Sequence, residues 1–425
     1  MCHNLSMKKY EYFEHTLSNK LRVLYLPLPE SPAVYISLTG KVGRRAELDN
    51  EVGCAHFLEH LFFDGTTKRS SAFELSNFIE GYGGRMNGST GTETVQYWVK
   101  LLYEHAEVGF ENLSDIFFNS LLAEIEKEKK VITQEVKMNK DNPGNQLRRL
   151  IQSTLYPNQA VGRTLFDEEP NIPNMTREVL VDYYNRVYVS RNFILTIAGN
   201  IDRENAFLLA EKYFGQFRDG EEVLFGTAKI ETKETISIVN DDLKQSKLGI
   251  SYRGYPDGSN EEKFVKLLNI ILGQGLSSRL ADRIRNELHL AYSAGSQVHC
   301  SSDYGSLSIN TSIDESNVQQ TIDEIFKVID KLIKDGVTDV EIEKAKNKLL
   351  AQILFDLENI DYYASYFAGQ LLLRGKIEGV DEYLSKIKSA SKEDLMRVAN
   401  YIFSDAPKVN LLTKTLKKVD LNYKL

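Results

Sequence analysis

The strongest constraint on the fold is a pattern of elements that occurs twice, about half of the 425-residue chain apart. In the first copy, Thr176 precedes an amphipathic helical stretch, and an apolar run of strand type follows at 192–199. In the second copy, Ser391 precedes a similar helical stretch, and the strand-like run lies at 408–413. The copies share the order of elements more than residue identity. This repetition predicts a duplicated chain.

The starts of the two halves repeat as well. The segments 33–39 and 246–252 alternate like strands, and each is followed by an acidic stretch and an apolar helix. The alternative is that unrelated α/β segments look alike at this level of pattern. We predict an α+β fold of two duplicated domains, each a mixed or antiparallel sheet with helices on one face. The predicted boundaries are 1–214 for the first domain, 215–235 for a charged linker, and 236–425 for the second domain.

The composition argues against several classes of function. The chain has 52 Lys and Arg against 60 Asp and Glu, a formal net charge of −8, which argues against a nucleic-acid-binding surface. Its three cysteines, Cys2, Cys54 and Cys300, suggest neither a disulfide framework nor a paired structural zinc motif. The N-terminus lacks the apolar region of a secretory signal, and no run of about 18 apolar residues occurs. We expect a cytoplasmic protein with no membrane span and no nucleic-acid partner.

A His-x-x-Glu-His sequence at residues 56–60 carries the chemistry. We predict a helix from about 51 to 63, on which His56 and His60 lie one turn apart on the same face. Two imidazoles in this position can bind one metal ion. Glu59 is close enough to take a proton from a water at that ion. The alternative is that two ordinary histidines lie near a glutamate by chance.

A catalytic zinc ion needs a third protein ligand and an open position. From the residues alone, Glu135 is the best candidate, because it lies in a helical stretch, 116–140, that is rich in carboxylates. Glu128 lies seven residues earlier and therefore projects from the same helical face. A solvated charged surface would have the same composition, so the pattern alone leaves the third ligand open.

The residues around this motif resemble a known family. The order His-x-x-Glu-His marks inverzincins, and the segment 53–66 closely resembles the pitrilysin/insulysin family of zinc metallopeptidases. Within that family, the chain is most similar to the branch of mitochondrial processing peptidase and its bacterial relatives. The resemblance extends over nearly the whole chain and includes the duplication.

Further segments extend the resemblance to the site. Residues 83–87 and 92–97 resemble the family's substrate-pairing strand region, which implies that Asn87 takes part in substrate binding. The residues from Glu128 to Glu135 resemble its second zinc-site element. This implies that Glu135 is the third zinc ligand and that Glu128 supports a ligand. One departure is a glycine directly after Asn87, where alanine is usual, and we expect it to have little effect.

In the second half, Arg285 and Tyr292 match the Arg…Tyr element of the family. The resemblance implies that they hold the substrate backbone and stabilise the tetrahedral intermediate. They are seven residues apart, which predicts one helix-like face. Without the resemblance, a surface arginine and a half-buried tyrosine would be the simpler interpretation.

The resemblance implies a zinc-dependent endopeptidase for short or unfolded peptides, with one zinc ion per chain and Glu59 as the general base. Two alternatives stay open: a dedicated maturation protease for one small precursor peptide, and a non-catalytic family subunit. Many assemblies in this branch divide the site between two subunits. The resemblance therefore also implies a homodimer, or a heterodimer with a related subunit, in which Arg285 and Tyr292 of one chain face the zinc of the other.

Overall fold

The computed structural model describes residues 10–229, 233, 235–417 and 421, so Cys2 and part of the predicted linker lie outside the described residues. The chain divides into two compact units. Unit 1 comprises Met1–Thr133, Asp167–Phe225 and Asp356–Tyr383, and unit 2 comprises Gln134–Phe166, Gly226–Phe355 and Leu384–Leu425. These units are not contiguous in sequence, whereas the predicted domains are 1–214 and 236–425. The sequence duplication and the compact units therefore divide the chain differently.

Two mixed sheets form the centres of the two units. The strands of unit 1 are β1 (Phe13–Thr16), β2 (Arg22–Pro27), β3 (Ala33–Gly40), β4 (Arg85–Thr90), β5 (Val95–Leu102) and β6 (Phe193–Gly199). The strands of unit 2 are β7 (Thr235–Asn240), β8 (Ser246–Arg253), β9 (Ala291–Cys300), β10 (Gly305–Ile313) and β11 (Lys408–Thr413).

Helices connect and cover these strands. In chain order they are α1 (Cys54–Phe62), α2 (Ala72–Gly81), α3 (Ala106–Phe118), α4 (Ile125–Lys140), α5 (Pro143–Leu155), α6 (Arg177–Val187), α7 (Arg203–Phe214), α8 (Glu262–Leu272), α9 (Val318–Asp335), α10 (Asp339–Asp356), α11 (Ile360–Arg374), α12 (Val380–Ser389) and α13 (Lys392–Phe403). No helix in the described part of the chain is long and apolar enough to cross a bilayer.

The two sheets repeat the same topology, which confirms the predicted α+β fold with two similar domains. Sheet 1 has the order β1-β2-β6-β3-β5-β4, and sheet 2 has the order β7-β11-β8-β10-β9. The repeat begins with β2 in sheet 1 and with β7 in sheet 2. In each sheet this first strand forms a parallel pair: β2 pairs with β6, and β7 pairs with β11. The remaining pairs of the repeat are antiparallel. By this correspondence α1 and α8 occupy equivalent places in the two repeats.

Each sheet also carries a helix on its second face, in addition to the predicted layer on the first. In unit 1, α3 packs its Gly109 close to Ile36 of β3. The opposite face is covered by α11, whose Ser365 accepts a hydrogen bond from Gln96 of β5 at 3.1 Å. In unit 2, α13 packs on β8 through an aromatic contact, and α5 covers the face that contains Gly249. Helix α5 comes from the first half of the sequence but covers the sheet whose strands come from the second half. Helix α11 comes from the second half and covers the sheet whose strands come from the first.

Both repeats begin their shared helix with the cap expected from the sequence. The Thr176 side chain accepts a hydrogen bond from the backbone N–H of Val179 at the start of α6. The Ser391 side chain accepts one from Asp394 at the start of α13, where the two residues form a capping box. Each cap satisfies a backbone donor that the helix leaves open.

Candidate metal centre

Helix α1 holds the His-x-x-Glu-His residues on a firmly buried support. Its apolar side chains are at most 1% exposed; they are Phe57, Leu58, Leu61 and Phe62. The helix begins at Cys54 rather than near 51, because 49–51 forms a separate turn of 3₁₀ helix. Gly53 precedes it with a φ of 104°, a conformation that favours glycine. Burial of the apolar side therefore leaves the histidines little freedom to move.

The two histidine rings direct their Nε2 atoms at each other. These atoms are 3.2 Å apart. The Nδ1 atom of His56 lies 2.8 Å from Oε2 of Glu168, and that of His60 lies 2.8 Å from Oε2 of Glu128. A neutral imidazole that donates its Nδ1 proton to a carboxylate has a lone pair at Nε2. Carboxylates in this position orient histidine ligands in metal sites.

The spacing of these atoms fits one zinc ion. Two nitrogen ligands of a tetrahedral zinc ion are roughly 3.3 Å apart, given bonds of about 2.0–2.1 Å. Glu135 completes the group: its carboxylate and the ring nitrogens of His56 and His60 lie within 4.8 Å of one another. Among the residues that the structure describes, this is the one group of three such side chains that could hold a metal ion. The structure thus brings together the three residues predicted as ligands.

Glu135 reaches the group because α4 is one continuous helix. The predicted helical stretch 116–140 is in fact two helices, since α3 ends at Phe118 and α4 begins at Ile125. Between them Leu122 has a φ of 46°, which is incompatible with a right-handed helix. Glu128 and Glu135 lie two turns apart on α4 and both reach α1. The division between the compact units falls inside this helix, after Thr133.

The supporting carboxyls are held in their charged forms. Burial by itself would raise the pKa of Glu168, but His56 and Arg44 outweigh it and lower that pKa. The pKa of Glu128 is lowered in the same way, since His60 and Lys127 outweigh its burial. Both side chains are nearly inaccessible, with 0% exposed for Glu168 and 5% for Glu128. Each is therefore an acceptor for an imidazole N–H.

Glu168 was missed by the sequence reasoning. It lies 112 residues from His56, in an acidic run of three residues that has no helical or strand periodicity. Glu128, by contrast, was found through the family resemblance. Burial of one acidic residue within such a run has no signature in a single sequence.

Glu59 projects from α1 toward β4. The hydroxyl of Thr90 donates a hydrogen bond of 2.5 Å to Oε2 of Glu59. Gly88 lies against the same side chain: a Cβ atom there would be 2.8 Å from Cγ of Glu59. In this chain, Glu59 therefore fills space that an alanine at Gly88 would take.

β4 forms an edge of sheet 1. It pairs with β5 from Arg85 to Thr90, and no strand lies on its other side within the described residues. Asn87 is exposed on this strand, and its side-chain oxygen accepts a hydrogen bond from the N–H of Gly88. An open strand edge is a place where an extended peptide can pair.

Arg285 and Tyr292 form a pair in unit 2. The guanidinium centre of Arg285 lies 5.1 Å from the centroid of the Tyr292 ring. The predicted helix-like face is wrong, because Arg285 lies in a π-helical segment, Ala281–Glu287, whereas Tyr292 lies in β9. Between them His289 has a φ of 54° and takes the chain out of the helix. Tyr292 is 80% exposed, so it is not the half-buried tyrosine of the simpler interpretation.

The chain resembles known peptidase families and named proteins over nearly its whole length. Residues 22–169 match the family described as insulinase (peptidase family M16), and residues 174–349 match the one described as peptidase M16 inactive domain. A protein of Rickettsia felis named "uncharacterized zinc protease" is 32% identical over 391 residues, which cover 91% of this chain and 94% of that protein. The "uncharacterized zinc protease" YmxG of Bacillus subtilis is 28% identical over 400 residues, covering 92% and 95%.

Solved structures show the same fold. The crystal structure of a protease from Helicobacter pylori superimposes with a TM-score of 0.88 at 23% identity, covering 96% of this chain and all of that one. A structure from Pseudomonas fluorescens, named a peptidase M16 inactive domain, gives a TM-score of 0.89 at 16% identity, covering 96% and 99%. The two family matches and the relative that is 32% identical over 91% of the chain show that the chain belongs to peptidase family M16, the insulinase family.

Proposed function

We propose that this chain is a zinc-dependent endopeptidase that hydrolyses short or unfolded peptides. The main support is the pair of Nε2 atoms of His56 and His60, 3.2 Å apart, with a buried carboxylate at each Nδ1. If both Nδ1 atoms carry protons, two lone pairs face each other, and a cation between them turns this repulsion into binding. The names of the relatives as zinc proteases support the same metal and the same reaction class.

The residues of the site have distinct tasks in this reaction. When bound, zinc supplies a Lewis acid that polarises the scissile carbonyl and makes water more acidic. Glu59 takes a proton from the attacking water and passes it to the leaving amine. Thr90 holds the Glu59 carboxylate through its hydroxyl. In unit 2, Arg285 and Tyr292 offer hydrogen-bond donors suited to a developing oxyanion.

The substrate in this proposal pairs with the edge of β4. An extended peptide would add as a strand along Met86 to Thr90, where Asn87 is exposed. Strand addition reads the main chain more than the side chains, and it requires a segment without its own fold. The proposed site would therefore take short or unfolded peptides rather than folded proteins.

The experiment is metal analysis combined with digestion of a peptide library, with and without a chelator. We expect one zinc ion per chain, internal cleavage of many peptides, loss of cleavage with the chelator and recovery on adding zinc. A protein that cleaves peptides equally well without metal contradicts the proposal. Cleavage of a single precursor sequence in place of many peptides would identify the maturation protease instead.

The non-catalytic alternative has no support from the site itself. The description "inactive domain" belongs to the match at 174–349, which contains Arg285 and Tyr292 but none of the proposed metal ligands, and to the name of the Pseudomonas fluorescens structure. His56 and His60 lie within the insulinase match at 22–169, as does Glu135. The three proposed metal ligands therefore all lie within the insulinase match.

We propose further that the working form is a homodimer in which Arg285 and Tyr292 of one copy serve the metal centre of the other. The strong exposure of Tyr292, 80%, suits a side chain that acts outside its own unit. Twofold symmetry would produce two equal sites. A heterodimer with a related subunit is the alternative, and it predicts that the isolated chain does not complete its own site.

A further inference from the structure

Arg44 connects two parts of the candidate metal centre: the carboxylate of Glu168 and the end of β4 at Thr90. Its Nε donates a hydrogen bond of 2.6 Å to Oε1 of Glu168. Its Nη1 donates one of 3.1 Å to the backbone carbonyl of Thr90, the last residue of β4. The Arg44 side chain is only 12% exposed. Both contacts are therefore shielded from water, where charge-assisted hydrogen bonds are strong.

Each residue that Arg44 contacts is itself bonded to a residue with a role in the proposed reaction. The second oxygen of Glu168 binds Nδ1 of His56 at 2.8 Å. The hydroxyl of Thr90 binds the Glu59 carboxylate at 2.5 Å. One guanidinium thus connects the support of a metal ligand with the support of the general base.

The backbone at Arg44 is fixed to the turn that follows β4. The N–H of Arg44 donates to the carbonyl of Gly91 at 3.2 Å, and the N–H of Arg45 donates to that of Thr92 at 2.7 Å. Arg45 also forms a buried ion pair with Glu93 at 2.5 Å. The guanidinium is therefore held in place before any metal or peptide binds.

We propose that Arg44 is a positioning residue that sets two properties of the centre independently: the metal affinity, through Glu168 and His56, and the proton transfer, through Thr90 and Glu59. This inference rests on the proposed peptidase function. A guanidinium suits the task because it is planar and rigid and offers donors in several fixed directions. A lysine ammonium keeps the charge, but as a point charge on a flexible stem it does not reproduce both contacts.

Three substitutions separate the two properties. Glu168→Gln replaces the carboxylate between Arg44 and His56 with an uncharged amide, which supports His56 less well. Zinc affinity should therefore fall 10–100-fold, the usual cost of losing such a support. Thr90→Val is close to isosteric and removes the hydrogen bond to Glu59, so its larger effect is a fall in kcat of about tenfold or more. Arg44→Lys lowers both zinc affinity and kcat.

The matched control is Arg69→Lys. Arg69 is equally buried, with 13% of its side chain exposed, and also pairs with carboxylates, those of Glu111 and Asp115. It lies in the same unit, and none of its partners among the described residues belongs to the centre. We expect its zinc affinity and kcat to equal those of the wild type.

The experiment measures zinc affinity on the full metal-free chain by competition with a chelator of known affinity. The absorption spectrum of the Co²⁺-substituted protein reports the ligand geometry, and kcat and KM are measured at saturating zinc. Thermal unfolding of each metal-free variant checks that it is folded. A folded Arg44→Lys that binds zinc as tightly as the wild type, with an unchanged Co²⁺ spectrum, overturns the proposal.

Two further outcomes keep the test decisive. Should Arg44→Lys fail to fold, normal zinc affinity in Glu168→Gln or normal kcat in Thr90→Val overturns the proposal. Should the wild-type chain bind no zinc at all, it is the peptidase function that fails, because the ligands themselves are then wrongly assigned. Tight zinc binding in the wild type with unaffected variants refutes only the role of Arg44.

Discussion

The Nε2 atoms of His56 and His60 lie 3.2 Å apart, and a buried carboxylate binds the opposite nitrogen of each ring. A charged carboxylate at each Nδ1 favours the tautomer that carries its proton there and leaves a lone pair at Nε2 for a metal. Glu59 lies between the two proposed ligands in sequence, but its carboxylate accepts a hydrogen bond from Thr90 of β4. Metal binding and proton transfer should therefore respond to different substitutions.

Glu59→Gln should abolish turnover without removing the metal. Glutamine keeps the size of the side chain and can still accept the hydrogen bond from Thr90, but it cannot take a proton. Loss of a general base costs about 10²–10⁴ in rate. We expect peptide hydrolysis to fall by at least that factor while zinc content stays at the wild-type value. A variant that retains near-normal hydrolysis contradicts the assignment of Glu59.

Mixing two inactive variants tests the shared-site homodimer. Glu59→Gln lacks the base and Tyr292→Phe lacks the donor in unit 2, so neither pure dimer contains an intact site. If each site combines residues of two copies, mixed dimers contain one intact site, and activity should reappear after subunit exchange. Exchange is followed with two fluorescent labels. A mixture that exchanges subunits but stays inactive refutes the shared site.

A pH-dependent contribution to stability is expected at Glu341 in unit 2. Arg279 binds both of its oxygens at 2.7 and 2.8 Å, and the backbone N–H of Thr338 donates to Oε2 at 2.8 Å. Burial by itself would raise the pKa of Glu341, but these donors outweigh it and lower the pKa to about 2. A pKa that is lower in the folded state stabilises the fold above the unfolded-state pKa, and this contribution is lost as pH falls.

Glu341→Gln should therefore lower the free energy of unfolding by about 1–2 kcal/mol at pH 7, toward the low end for hydrogen bonds to a charged group because this carboxylate is partly exposed to solvent. The difference from the wild type should shrink as pH falls below about 4.5, the usual value for glutamate, toward about 2. Urea unfolding of the metal-free chain at pH 7 and at pH 3 measures it. Glu343→Gln is the control, since Glu343 is exposed and pairs with Lys346 one turn away. An equal difference at both pH values contradicts the account.

The caps and the repeated strands could be predicted from the sequence because they depend on neighbouring residues. Thr176 and Ser391 begin their helices as predicted, and the run 408–413 is β11. That α5 and α11 each pack on the sheet of the other half of the sequence could not be predicted. Amphipathic periodicity shows that a helix has a buried face but not which sheet covers it.

In the site, too, contacts between residues close in sequence could be predicted and contacts between distant residues could not. His56 and His60 share a turn of helix, so their spacing alone predicted that they would meet. Glu135 needed the family resemblance, and Glu168 had no local signal at all. The path of the chain between Arg285 and Tyr292 was mispredicted because a left-handed residue, His289, ends the helical segment there. Single backbone conformations of this kind are rare for residues other than glycine and leave no periodic pattern.

The assignment of the metal ligands is tested by loading the metal-free chain with zinc, removing the excess and measuring the zinc that stays bound. We expect one zinc ion per wild-type chain and its loss in both His56→Ala and Glu135→Gln. Glu126→Gln is the control, because Glu126 lies on the same helix as Glu135 but is 82% exposed and pairs with Lys129; this variant should keep one zinc ion. A wild-type chain that binds no zinc, or His56→Ala and Glu135→Gln variants that bind it as the wild type does, would contradict the account.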